Sequence, residues 1–314
     1  MLVPIILTAM LIPGCRSAEA APETASESRH QLQWITPILR APRLEQHTFP
    51  SAAAKTNVSF FIWTPQQYET ERSRQFPVLY WLHGTGGGVP EVAKLAAHFG
   101  SAIRAGKTPP MLVVFANGLA DNMWCDSKDG RVPMETVVVR ELVPRIDSAF
   151  RTLARREGQL IEGFSMGGYG AARLGFKYHD LFGAVSILAG GPLDPELLGP
   201  RTAARPEERE RILREVFGGD LEDFKAQSPW ALAEQNAAAV RGRTHVRMAT
   251  GSRDLTQQLN RRFSDHLKPL AIPHSFTVVP GVGHDTPALF EGLGEANWAF
   301  YRSVFNDKSP PADH

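Results

Sequence analysis

The sequence predicts an α/β protein with a mostly parallel central sheet and helices on both of its faces. Three observations carry this. Short apolar runs rich in β-branched and aromatic residues recur along the chain, and several end in glycine, as strands buried on both faces do. Segments with helical spacing or helix-start signals lie between them. The two kinds alternate strand, helix, strand, which builds parallel crossover units rather than hairpins.

Residues 1–14, "MLVPIILTAMLIPG", are apolar, uncharged and too short to cross a bilayer as a helix. They match the core of a secretory leader, without the positive charges that usually precede one. "LIPGC" is compatible with lipidation of Cys15 after cleavage, and cleavage among Ala18, Ala20 and Ala21 is the alternative. The reading is a leader over 1–21 and export to the periplasm or exterior, with membrane association only through Cys15. An uncleaved cytosolic N-terminus is the competing reading. A small, polar, weakly apolar stretch then reads as a linker, assigned to 22–41. The globular domain is assigned to 42–305 and a frayed tail to 306–314.

Within the domain the expected strands are "VSFFIW" (58–63), "PVLYWLHG" (77–84), "PPMLVVFANG" (109–118) and "GQLIEGF" (158–164). "FGAVSILAGG" (182–191), "THVRMATGS" (244–252) and "SFTVVPGVG" (275–283) complete the set. A helix over 133–153 opens on Pro133, a good first-turn residue, and Pro144 inside it predicts a kink or break. In 256–270, Leu259, Phe263 and Leu267 recur on one helical stripe. Residues 288–305 read as one closing helix. Residues 192–240 interrupt the rhythm with a charged amphipathic helix at 205–219. On its own that helix is a solvated face, and its position between two core strands makes the segment a candidate cap over a pocket.

The chain has 314 residues, 43% hydrophobic and 21% charged, with a net charge of +1. Nothing in that balance favours nucleic acid or an anionic membrane, so a neutral or small organic substrate is expected. Of the two cysteines, Cys15 falls in the leader, which excludes a disulfide scaffold. Cys125 has no glycine elbow around it and reads as a small buried residue. No His-x-x-x-His or clustered His/Cys spacing calls for a metal, and no cofactor is implied.

The chemistry concentrates in "GFSMGGYG" (163–170). A strand-like run enters it and a small-residue, helix-compatible run leaves it. That order is what a strand-turn-helix elbow needs to hold Ser165 out as a nucleophile, and a flexible loop does not explain it. Gly163 and Gly167 lack the Cβ atoms that would collide in so sharp a turn. A serine hydroxyl needs a base, and the base needs an orienting carboxylate. Of His179, His245, His266, His274 and His284, only His284 follows the last apolar strand in a loop at its carboxyl end. His245 and His274 begin strands, and His266 lies on a helix. Asp254 ends a strand at the same sheet edge and is the expected acid. Its bland alternative is a helix N-cap, and the two jobs look hard to combine. Asp285 should point away if His284 faces the serine, and Asp220, Glu222 and Asp223 fall in the insertion.

A developing oxyanion needs fixed donors. The backbone N–H of Met166 and that of Thr85, in the glycine-rich "HGTGGG", are the candidates, with Gly84 and Gly86 letting the chain approach substrate closely. His83 reads as a residue shaping this loop rather than as a second base. A phosphate cradle is excluded because no Gly-Lys-Ser/Thr follows the glycines. Trp124 either lines the substrate pocket or packs in the core.

Together "LYWLHGTGGG", "NMWCDSKDG", "ETVVVRELVPRIDSAFRT", "GFSMGGYGA", "SPWALAE", "GSRD" and "GHD" resemble the esterase D family of α/β-hydrolases across residues 42–305. That family includes feruloyl esterases, S-formylglutathione hydrolases, siderophore esterases and mycolyltransferases. The resemblance implies the α/β-hydrolase fold with a small cap insertion and a serine carboxylesterase acting on a small-molecule or carbohydrate-linked ester. It implies Ser165 as nucleophile, His284 as base, Asp254 as acid and Thr85 and Met166 as oxyanion donors, nearest to the feruloyl-esterase-like group. An acyltransferase with the same triad and a non-catalytic carbohydrate- or wall-binding protein are the rivals. Two features depart from the pattern. Glu162 stands where a small or apolar residue is usual and needs a partner, such as an arginine. "MWCDS" lacks the tyrosine often found beside the tryptophan.

Overall fold

Side chains alternate along a strand, so a sheet covered on both faces needs apolar residues at successive positions. The computed structural model describes residues 32–191, 194–197 and 205–305, which leaves the leader with Cys15, the first half of the linker and the tail outside the described residues. Eight strands form one sheet: β1 (Leu44–Ser51), β2 (Thr56–Trp63), β3 (Val78–Leu82), β4 (Leu112–Ala116), β5 (Gln159–Phe164), β6 (Ala184–Leu188), β7 (His245–Gly251) and β8 (His274–Val279). Their order across the sheet is β1-β2-β4-β3-β5-β6-β7-β8. β2 runs antiparallel to β1 and β4, and every other pair is parallel. The fold is that of the α/β-hydrolases. All five residues of β3, β4 and β6 are buried, and their alternate side chains feed two cores, one on each face.

The helices are α1 (Gln67–Thr70), α2 (Val89–Arg104), α3 (Met134–Thr136), α4 (Val143–Ala149) and α5 (Met166–Lys177). After these come α6 (Pro206–Phe217), α7 (Leu221–Ala226), α8 (Pro229–Val240), α9 (Gln257–Leu267), α10 (Thr286–Leu293) and α11 (Glu295–Phe305). Leu259, Phe263 and Leu267 of α9 all enter one core, as their spacing requires. That core also takes α5 and α8, while α2, α10 and α11 cover the opposite face.

Five expectations change. β1 carries only a weak alternating signal and emerges through its full-length register with β2. The packed unit begins before residue 42: Trp34 is buried, its carbonyl accepts from Ser59 N at 2.9 Å, and the Asn117 side chain ties down the carbonyls of Gln33 and Trp34. Pro144 does not break its helix. The chain passes from α3 through a π-helical stretch, Val137–Leu142, into α4, and the wider turns ahead of Pro144 accommodate its ring and missing N–H. The closing helix is two helices, because Gly294 adopts φ 52° and ψ −126° between them. Finally, α8 is no cap. It packs on α5 and α9 as the crossover helix between β6 and β7, so only the chain before it departs from the βαβ rhythm. In that part, Ile212, Leu213, Val216 and Phe217 of α6 join the core that includes Leu119, Met123 and Trp124, bracing the loop after β4.

Candidate active site

β5 ends at Phe164 and α5 begins at Met166, so Ser165 alone makes the turn, with φ 58° and ψ −120°. That conformation costs a non-glycine residue about 1–3 kcal/mol and persists only where the surroundings enforce it. Here they do. Ser165 N donates to Leu188 O at 3.0 Å, and Ser165 O accepts from Tyr169 N at 3.1 Å and Gly191 N at 2.5 Å. A Cβ on Gly163 would strike the Gly167 carbonyl, and one on Gly167 would strike the Leu82 carbonyl. The glycines around the serine are therefore required by close backbone approach.

The structure brings Ser165, His284 and Asp254 together. His284 Nε2 lies 2.9 Å from Ser165 Oγ, and His284 Nδ1 lies 2.8 Å from Asp254 Oδ2. An ionised carboxylate only accepts, so Nδ1 carries the proton and Nε2 is left to accept from the serine hydroxyl. The Asp254 side chain is fully buried, while that of His284 keeps 28% of its surface. Burial pushes the Asp254 carboxyl up, but hydrogen bonds from His284 and Thr256 outweigh it and hold the group below the usual carboxylate range. Asp254 also does the second job that looked incompatible with the first. Its Oδ1 accepts from Thr256 N at 2.7 Å and Thr256 Oγ1 at 2.8 Å, so each oxygen has its own partners at the entry to α9. Asp285 points elsewhere and caps α10 through Ala288 N at 2.7 Å.

The other histidines stand apart. His179 meets Asp180, His266 packs on Trp230, His274 meets Ser264, and His245 opens β7 in an exposed position.

The loop after β3 lies against the serine: a Cβ on Gly84 would sit 3.2 Å from Ser165 Cβ. Gly86 has φ +89°, and its N–H donates to Ala120 O at 2.9 Å. Among the described residues, the N–H groups of Thr85 and Met166 have no hydrogen-bond partner. His83 is buried and works from beneath the loop. Its Nδ1 donates to Gly84 O at 2.7 Å, and its Nε2 accepts from Gly118 N at 3.0 Å. Burial lowers its pKa to about 4, so the ring stays neutral and keeps the acceptor that Gly118 needs.

Trp124 has no exposed surface, which corrects its assignment to substrate contact. Its ring packs on Gly118 and Gly170 and its Nε1 donates to His83 O at 3.2 Å, so it supports the loop from inside. Leu119, Met123 and Trp124 all have φ between 55° and 58° in this segment. Asn122 holds it, accepting from Trp124 N at 2.7 Å and donating to Gly118 O. The sequence reading missed Asn122, and also Thr256 and Asn260. The only signal was an asparagine or threonine close to a glycine or aspartate in a loop. Cys125 is buried, and burial pushes its thiol up to about 11, which leaves it inert. Among the described residues no group of His, Cys, Asp or Glu is arranged to hold a metal.

Glu162 has its arginine. Arg247 Nη2 donates to Glu162 Oε2 at 2.6 Å, and Tyr301 Oη donates to Oε1 at 2.8 Å. Arg247 further reaches Ser186 at 2.7 Å and the Asn297 side chain at 2.8 Å, all within the core.

The chain is similar to several known esterases. It is 33% identical over 153 residues to an esterase of Mycobacterium tuberculosis, covering 48% of this chain and 32% of that protein. It is 30% identical over 200 residues to an endo-1,4-beta-xylanase/feruloyl esterase of Xylanibacter ruminicola, covering 59% of this chain and 28% of that protein. It thus spans about a third of the length of these curated relatives. Among solved structures, a ferulic acid esterase matches with a TM-score of 0.68 at 21% identity, over 83% of this chain and 98% of that one. An S-formylglutathione hydrolase from Agrobacterium tumefaciens matches with a TM-score of 0.65 at 18% identity, over 83% and 95%. The model of the family described as putative esterase matches residues 51–310, which include every residue placed around Ser165, and the chain belongs to that esterase family.

Proposed function

We propose that the protein is a serine carboxylesterase in which Ser165 is the nucleophile, His284 the general base and Asp254 the acid that orients it. The observation that carries this is the unbroken line from Asp254 Oδ2 through His284 to Ser165 Oγ, at 2.8 and 2.9 Å. As Ser165 Oγ attacks the ester carbonyl, its proton passes to His284 Nε2, and Asp254 stabilises the imidazolium. The N–H groups of Met166 and Thr85 hold the oxyanion. His284 then protonates the departing alcohol, takes a proton from a water as its oxygen attacks the acyl-enzyme carbonyl, and passes that proton to Ser165 Oγ as the acyl–Oγ bond breaks and the acid leaves. The substrate class is a feruloyl, acetyl or short-chain acyl ester of a small molecule or carbohydrate. Support comes from the feruloyl esterase relative and from an acetyl esterase of Caldicellulosiruptor saccharolyticus, 25% identical over 226 residues. Ser165 is part-exposed and His284 open to solvent, so water can reach the acyl group as its acceptor. We also propose export, with attachment to a membrane only through lipidation of Cys15.

The test is hydrolysis of p-nitrophenyl acetate and butyrate by the wild-type protein and by Ser165→Ala. The variant should lose most of the rate, down to a residue of about 10³-fold over water. Equal turnover by both proteins would remove Ser165 from the mechanism.

A further inference from the structure

Resting on that reading, we infer that Thr256 and Asn260 are positioning residues that set the charge and aim of Asp254. Thr256 stands at the N-terminus of α9, where a threonine hydroxyl ordinarily accepts from helix N–H groups. Here it makes no such bond and donates to Asp254 Oδ1 at 2.8 Å instead. The helix end gives up its cap, and the acid gains a donor.

The chain continues behind it. Asn260 Nδ2 donates to Thr256 Oγ1 at 3.1 Å, to Thr256 O at 2.9 Å and to Gly190 O at 3.4 Å. Because Thr256 Oγ1 accepts from Asn260, its own proton is directed at Asp254. Thr256 and Asn260 are 1% and 0% exposed, so these groups have little choice of partner. Gly190 precedes Gly191, whose N–H donates to the Ser165 carbonyl and where an added Cβ would sit 2.9 Å from Met166 N. The network therefore joins the acid to the turn that carries the nucleophile.

The chemical consequence has a definite sign. Thr256 spreads part of the Asp254 charge onto Oδ1. Without that donor, Oδ2 holds the His284 imidazolium more tightly, and the base stays protonated to higher pH. Thr256→Val keeps the shape and removes the hydroxyl. Its acid limb of kcat/KM should move up by roughly 0.5 to 1 unit, with kcat at the plateau down about tenfold and KM unchanged. Thr256→Ser retains the donor and should return both to within about twofold of wild type. Asn260→Leu should move the limb the same way by less. If Thr256→Val does not fold, Thr256→Ala provides the same comparison. A wild-type acid limb in the hydroxyl-free variant, with Ser165→Ala reduced to its residual rate, overturns this inference and leaves the proposed nucleophile standing. Turnover by Ser165→Ala equal to that of the wild type would instead overturn the reading on which it rests.

Discussion

Two buried carboxylates flank the strand-to-helix turn at Ser165, and their partners give them opposite characters. Glu162 lies on β5 ahead of the elbow, and Asp254 follows β7. Both side chains are fully buried. Glu162 faces Arg247, a permanent cation itself held by Ser186, Asn297 and Tyr301. Every charge there is matched within the core, and nothing leads out to solvent. Asp254 faces an imidazole that can gain or lose a proton and whose far nitrogen touches Ser165. The lesson is that burial alone does not make a carboxylate functional. A fixed partner yields a structural tie, whereas a titratable partner open to solvent suits a carboxylate to the part proposed for Asp254, orienting an imidazole and stabilising its charged form.

The sharpest way to break the comparison is to neutralise each acid in turn. Asp254→Asn should lower kcat by about 10⁴-fold, because the amide favours the wrong imidazole tautomer. Turnover of p-nitrophenyl butyrate with a matched melting curve checks it. Glu162→Ala should do the reverse. It leaves Arg247 buried and unpaired, so stability should fall by about 3–5 kcal/mol in urea unfolding, with the rate per folded molecule close to wild type.

A third buried group extends the comparison to pH. His83 is neutral in the fold, its pKa lowered to about 4 by burial. In the unfolded chain it returns to about 6.5, so the unfolded state binds more protons between those values. Its contribution is complete above the unfolded value and is lost as pH falls toward 4, worth about 3 kcal/mol. The stability-versus-pH slope in this window, measured for wild type and His83→Asn, should flatten in the variant. Activity needs the neutral His284 imidazole, since the protonated ring has no lone pair for the serine proton. The smallest effect belongs to Asp285→Ala. Losing the α10 cap should cost about 1 kcal/mol and leave turnover within about twofold, separating this aspartate from its neighbour's chemistry.

Much of this was legible in the chain. The run into "GFSMGG" and the helix leaving it mark the elbow because the steric demand lies within a few residues of Ser165. His284 could be separated from the other histidines because parallel strands place their carboxyl ends on one edge. The need of Glu162 for an arginine was legible too, but not which one, since Arg247 is 85 residues away. Trp124 could not be placed, because an isolated tryptophan carries no sign of which way a φ of 56° turns it. The helix over 89–104 and the opening strand were overlooked, the first despite apolar spacing at Val92, Leu95, Phe99 and Ile103.

By itself, then, the sequence determined the alternation of strands and helices, the turn that exposes Ser165 and the chain order of serine, aspartate and histidine. These follow from periodicity and local sterics, which act over a few residues. Only the tertiary structure decided that Asp254 serves both His284 and Thr256, that Thr256 forgoes its helix cap, and that Glu162 closes on Arg247. Each of these depends on the directions in which a few donors and acceptors point once distant segments are packed together, and hydrogen bonding in a buried site is decided by that direction.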